Sequence, residues 1–135
     1  MKTVQEEDLI FDVSFALSAE RFDDKELHGK RSTMKKVDFI IEEKERIVFL
    51  EVKDPDLPEA SNVDHFKESL KNGNLIHELA WKYRDSLLFA IQRGELTKPV
   101  HYIVLISMES LDKALLVNMM DGLSRSIPIS HKSWT

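Results

Sequence analysis

The sequence contains no cysteine. That absence excludes a disulfide framework, a thiolate metal site and a cysteine nucleophile. Glycine and proline are scarce, four of each, and the glycines are scattered, so no phosphate-cradling glycine loop is present. Neither an internal repeat nor a low-complexity tract is visible. No apolar run approaches the roughly 20 residues needed to cross a bilayer. The N-terminus has no basic-then-apolar leader, so a cytoplasmic protein with no membrane partner is expected.

What is there suits one folded unit. A chain of 135 residues is expected to form a single domain over residues 1–135, large enough to bury one core. Hydrophobic residues are 42% and charged residues 32% of the chain, a balance that argues against global disorder. The formal net charge of -5 argues mildly against coating nucleic acid by phosphate neutralisation alone. Its distribution is uneven. In "KELHGKRSTMKK", residues 25–36, Lys25, Lys30, Arg31, Lys35 and Lys36 face a single acid, Glu26. Lys30, Arg31, Lys35 and Lys36 are the candidate nucleic-acid contacts; a solvated loop is the bland alternative.

Period and punctuation give the elements. From Thr3 to Phe22, Val4, Phe11, Phe15 and Phe22 recur at helical spacing, with Leu9, Val13 and Leu17 as a second stripe, and predict a first helix. "VDFII" and "IVFLEV", on either side of "EEKER", predict a β-hairpin. Ser61 and Asp64 predict the start of a helix that Gly73 ends. A longer helix follows from about Leu75 to Arg93, stopped by Gly94 and Pro99. "VHYIVLIS" reads as a strand buried on both faces and parallel to the second hairpin strand. A helix from about Ser110 to Leu123 and a short "SIPI" segment end the chain. Helix, hairpin, helix, strand, helix places a mixed sheet between helices.

The hairpin raises a chemical question, because Asp38, Glu51 and Lys53 interrupt segments otherwise built for burial. Alternation puts Ile47, Phe49, Glu51 and Lys53 on one face of their strand. A two- or four-residue loop pairs Glu42 with Ile47 and sets Asp38 directly opposite Glu51, with Cβ atoms about 4.5–5.5 Å apart. A three-residue loop sends Asp38 to the other side. Two carboxylates so close repel each other unless a cation intervenes. Hard oxygen donors suit Mg²⁺ or Mn²⁺, and Lys53 beside such an ion would hold a scissile phosphate or steer a water, a set suited to phosphodiester hydrolysis.

"VDFII" followed by "FLEVK" resembles the PD-(D/E)XK nuclease superfamily, with its restriction-endonuclease-like fold. The resemblance rests on residues 37–53, with Val37 standing where the family's name has proline. It implies an α/β, three-layer core with a mixed β-sheet flanked by helices. It also implies Asp38 and Glu51 as metal ligands, the Val52 carbonyl as a further ligand, and Lys53 as the catalytic lysine. Members often add an acid from the first helix. Asp8 is the candidate ligand, Asp12 lies nearby, and for Asp8 a favourable helix-dipole contact is the alternative. A polar or basic residue from the long helix also commonly joins; Lys82 is the candidate, although a lysine on a helix is usually just solvated. "DDK" at 23–25 and "EEK" at 42–44 repeat the acid-x-Lys pattern, but neither closes an apolar strand opposite another acid.

The five histidines have no metal-ligand spacing, and no nucleophile elbow is visible. Trp81 and Tyr83 could stack on bases, but within "HELAWKYRDSLLFAI" service in the core or at a subunit contact is the favoured reading. The expected function is a Mg²⁺- or Mn²⁺-dependent nuclease acting on DNA, or on RNA. The alternative is an inactive nuclease-fold module that binds protein or nucleic acid within a larger assembly. A chain this small has little surface for duplex recognition, so a homodimer or a protein partner is also expected.

Overall fold

A computed structural model describes residues 2–6, 9–29, 33–54, 62–109 and 113–127. Asp8, Lys30, Arg31, the capping Ser61 and the Pro128–Ile129 half of "SIPI" fall outside the described residues. The chain is α/β, built on a mixed four-stranded sheet. Strands β1 (Thr3–Glu6) and β2 (Leu9–Asp12) form an antiparallel hairpin of their own. Strand β3 (Ser18–Arg21), a single helical turn α1 (Lys25–His28), and strands β4 (Phe39–Glu42) and β5 (Ile47–Lys53) follow. Helices α2 (Asn62–Lys71) and α3 (Asn74–Gln92) cross over to β6 (Val100–Ile106), and α4 (Lys113–Ser126) packs last.

The main sheet has the order β3-β4-β5-β6. β4 and β5 are antiparallel with Phe39 opposite Leu50 and Glu42 opposite Ile47, the register expected for the hairpin. Its turn is tight: the Glu43 N–H donates to the Arg46 carbonyl at 2.9 Å, leaving Lys44 and Glu45 as a two-residue loop. β6 runs parallel to β5, with Glu51 beside Val104 and Lys53 beside Ile106.

The expected first helix is not there. Thr3–Glu6, Leu9–Asp12 and Ser18–Arg21 form β1, β2 and β3 instead. The same residues carry a period of two that competes with the helical one: Leu9, Phe11, Val13, Phe15 and Leu17 alternate with Ile10, Asp12, Ser14 and Ala16. The hairpin that results replaces the helix as a covering layer. Val4, Leu9 and Phe11 pack on Phe39, Ile41, Val48, Leu50 and Val52, one face of the main sheet. Phe11 and Phe39 rings lie 6.2 Å apart.

The other sheet face belongs to α3. Ile40, Ile47 and Phe49 meet Tyr83, Leu87 and Ala90 there, and α3 runs from Gly73, at φ 84°, to the turn at Gly94. A third cluster, of Phe66, Leu75, Leu79, Met108 and Met119, joins α2 and α4 to α3. β6 departs from the expectation of burial on both faces. It is a sheet edge, and its alternate residues Ile103 and Leu105 are 39% and 38% exposed, because the β1–β2 hairpin packs over β4 and β5 and pairs with Arg21 of β3, on the far side of the sheet from β6.

Candidate active site

Asp38 and Glu51 come together through backbone geometry alone. Asp38 immediately precedes β4, and the Phe39–Leu50 pairing carries on to set it against Glu51. Both are buried, Asp38 at 8% and Glu51 at 1% exposure. Three bonds fix the approach of Asp38. Its carbonyl accepts the Phe22 N–H at 2.8 Å. Its Oδ2 accepts the Val52 N–H at 2.8 Å. The neighbouring Val37 N–H donates to Oγ of Ser86, a fully buried hydroxyl on α3, at 3.0 Å.

Helix α3 supplies the charges that face this pair. The Lys82 ammonium donates to Glu51 Oε2, and Lys53 Nζ stands 3.6 Å from the same oxygen. One turn before Lys82, Glu78 Oε1 lies 3.7 Å from Lys53 Nζ and 3.7 Å from Lys82 Nζ. The result is an alternating cluster of three acids and two lysines at the C-terminal end of β5. Tyr102 closes it from β6, stacked on Tyr83 at 5.2 Å and donating to the Leu79 carbonyl at 3.0 Å.

Burial dominates the electrostatics. It pushes Glu51 up to about 7, with Asp38 adding to the rise and Lys82 opposing it. Asp38 is also raised by burial, while the Val52 N–H pulls the other way. Burial alone would lower Lys82, but the adjoining Glu51 outweighs it and holds the ammonium above its ordinary value. Tyr102 is raised by burial and by the nearby carboxylates.

One buried atom of this cluster has no hydrogen-bond partner among the described residues. Glu51 Oε1 is buried and accepts no hydrogen bond, a condition that costs free energy for any polar group and more for a carboxylate. A second cation beside Oε1 would relieve it. The donors fit a hard divalent ion: an unpartnered carboxylate oxygen next to a second carboxylate, on a strand end where waters and a phosphate oxygen would complete the shell. Among the described residues no group of three or more His, Cys, Asp or Glu is arranged to hold a metal. A Mg²⁺ or Mn²⁺ ion would therefore rest on Asp38 and Glu51, with the Val52 carbonyl as the expected third protein donor.

The chain matches no family model, no curated protein and no solved structure. Its own geometry therefore carries the functional reading.

Asp38, Glu51, Val52 and Lys53 meet as the hairpin register requires. Lys82, which sequence alone leaves between a site role and a solvated one, is in the cluster. Glu78 was missed, although its (i, i+4) spacing from Lys82 on α3 is a signal in the sequence. Glu6 was missed too. This β1 acid is ion-paired to Arg21 at 2.8 Å, and its charge is among the causes that raise Asp38. Asp12 does not reach the site; its Oδ1 accepts the Ser14 N–H at 2.9 Å and the Ser14 hydroxyl at 2.6 Å in a surface turn. The rival "EEK" is engaged elsewhere, with Glu42 on Lys98 and Glu43 on Arg46. Of the basic segment, Lys35 Nζ lies 5.7 Å from the centre of the Trp81 ring, and Lys36 is half-buried. No helix among the described residues is long and apolar enough to cross a membrane.

Proposed function

We propose that this chain is a metal-dependent nuclease, hydrolysing phosphodiester bonds in DNA or RNA on a restriction-endonuclease-like fold of the PD-(D/E)XK type. The observation that carries the proposal is the buried Asp38–Glu51 pair with Glu51 Oε1 unpartnered, near the C-terminal end of a strand that finishes on Lys53. A divalent ion held there supplies Lewis-acid stabilisation of charge on a scissile phosphate. Lys53 sits beside the pair, 23% exposed, and is able to reach a phosphate oxygen and hold it. Its ammonium, kept between Glu51 and Glu78, stabilises charge that develops on the oxygens in the transition state. Lys82 gives Glu51 Oε2 a fixed partner, so Oε1 is the oxygen left to turn toward an ion. Ser86 and the Val52 N–H keep Asp38 from rotating away.

The Lys82–Glu51 bond also supports a second reading. A lysine already neutralising Glu51 makes a complete ion pair without metal, as in a nuclease-fold module that has kept the charges and lost the chemistry. The two readings part on one experiment. With Mn²⁺ and a mixture of single- and double-stranded DNA and RNA, the parent chain should cleave. Lys53→Ala should lose at least about 100-fold in rate, the scale of removing one charge-stabilising donor, while calorimetry still registers Mn²⁺ binding. A parent that neither cleaves nor binds Mn²⁺ belongs to the second reading, and full cleavage by Lys53→Ala removes that lysine from the mechanism.

A further inference from the structure

Helix α3 turns two different faces to the site's rim. Glu78 and Lys82 enter the carboxylate cluster. Trp81, next to Lys82 in the chain and about 100° around the helix, stays outside and is 43% exposed. The two aromatics that sequence alone could not separate thus part: Tyr83 is a core residue, and Trp81 is a surface one. The indole is framed. His77 meets it edge-on at 5.7 Å, and Lys35 Nζ lies over its face at 5.7 Å. Lys35 is itself tethered to α3, where its backbone N–H donates to Asp85 Oδ2 at 2.9 Å. Beside the ring opens a cleft of about 310 Å³ lined by Trp81, Asp85, Leu88 and Gln92 of α3 and by Thr33 and Met34, at the small end of the roughly 300–1,000 Å³ typical of ligand pockets.

An exposed indole with a cation over its face and a small cleft alongside is a stacking platform for one planar group. Its place, one residue from a lysine that touches the proposed metal ligand, sets the class of that group. Lys82 lies against Glu51, so a strand engaged at the carboxylate cluster is the source of a base for Trp81. The bases of a duplex are already stacked on each other, and extruding one costs a few kcal/mol; unpaired bases stack on an indole without that cost. A larger groove between α3 and α4 offers no comparable link, since its Arg84 is bonded to the Ser126 carbonyl and its Arg125 to Asp121.

We infer that Trp81 is the base-stacking residue of this site and that the substrate is single-stranded nucleic acid, with one unpaired base stacked on the indole beside the Asp85–Gln92 cleft. The inference rests on the nuclease reading for its substrate, but its test does not use catalysis. The chain has two tryptophans; in a Trp134→Phe background Trp81 is the only reporter. In metal-free buffer with chelator, short oligodeoxyuridylate or oligouridylate should quench its emission, and the stronger of the two identifies the sugar. A fully abasic oligonucleotide and a duplex of equal length should not quench it. Trp81→Ala should weaken oligonucleotide binding about 5- to 150-fold, which corresponds to ~1–3 kcal/mol of base stacking, and Trp81→Phe should keep most of the affinity. Absence of quenching, equal quenching by duplex or abasic strand, or unchanged affinity in Trp81→Ala would each overturn the inference. Quenching by single strands from a parent that does not cleave with Mn²⁺ leaves the stacking site standing and overturns the nuclease reading alone.

Discussion

A buried carboxylate with one oxygen on a lysine and the other on nothing pulls two ways with pH. Glu51 has its proton affinity raised, from 4.5 to about 7, mainly by burial. Between those values the folded chain holds a proton that the unfolded chain has released, so through this group stability falls as pH rises from about 4.5 to 7. At ~1.4 kcal/mol per unit the span is about 3 kcal/mol. Glu51→Gln cannot titrate there. Its urea midpoints at pH 5 and pH 8 should lie closer together than the parent's, even if the absolute stability of the variant drops because Lys82 has lost its charged partner. Equal slopes for the two proteins would mean that Lys82 already keeps Glu51 ionised throughout. Asp38, Glu51 and Lys53 are legible in the sequence because their meeting depends only on strand alternation and a two-residue turn. Lys82 enters only as a candidate of the family resemblance and Glu78 only through its spacing from Lys82, since which face of α3 meets the sheet is decided by the packing of Tyr83, Leu87 and Ala90.

Elements were legible where one period stands alone. The hairpin of β4 and β5, the long α3 between Gly73 and Gly94, and the parallel β6 have a single dominant pattern, and α4 is displaced by only a few residues, from an expected 110–123 to Lys113–Ser126. The N-terminal stretch was misread because its apolar residues satisfy two periods at once, and pairing with β4 through Ser18–Arg21 chooses the extended one. The burial of β6 was overestimated for a different reason, since no local pattern tells an edge strand from a central one. Contact between α3 and α4 offers a clean test at this scale. A Cβ on Gly122 would meet Ile76 Cγ1 at 3.5 Å, an ordinary contact, and a helix-interior glycine costs about 0.5–1 kcal/mol relative to alanine. Gly122→Ala should therefore raise the melting temperature, whereas Gly122→Leu should lower it by forcing α4 off Ile76. A fall in both variants would mean that the two helices are packed more tightly at this crossing than 3.5 Å implies.

At the scale of the whole molecule the sheet is unevenly protected. α3 covers one face and the β1–β2 hairpin part of the other, leaving Ile103 and Leu105 partly open on an edge strand seven residues long. Such edges recruit other strands, and natural proteins commonly place a charge on them. Ile103→Lys should cost no more than about 1 kcal/mol of stability and should raise the protein concentration at which light scattering first detects association. An unchanged threshold would assign association to another surface. β6 also imposes a delay, because it pairs with β5 but is made long after it. At roughly 5–20 residues per second, synthesis of residues 54–106 takes roughly 3–10 s. During that interval β5, the most buried strand of the sheet, has no neighbour on one side. Its charged residues, Glu51 and Lys53, are then gatekeepers that discourage the nascent strand from pairing with another chain, before they have any substrate to meet.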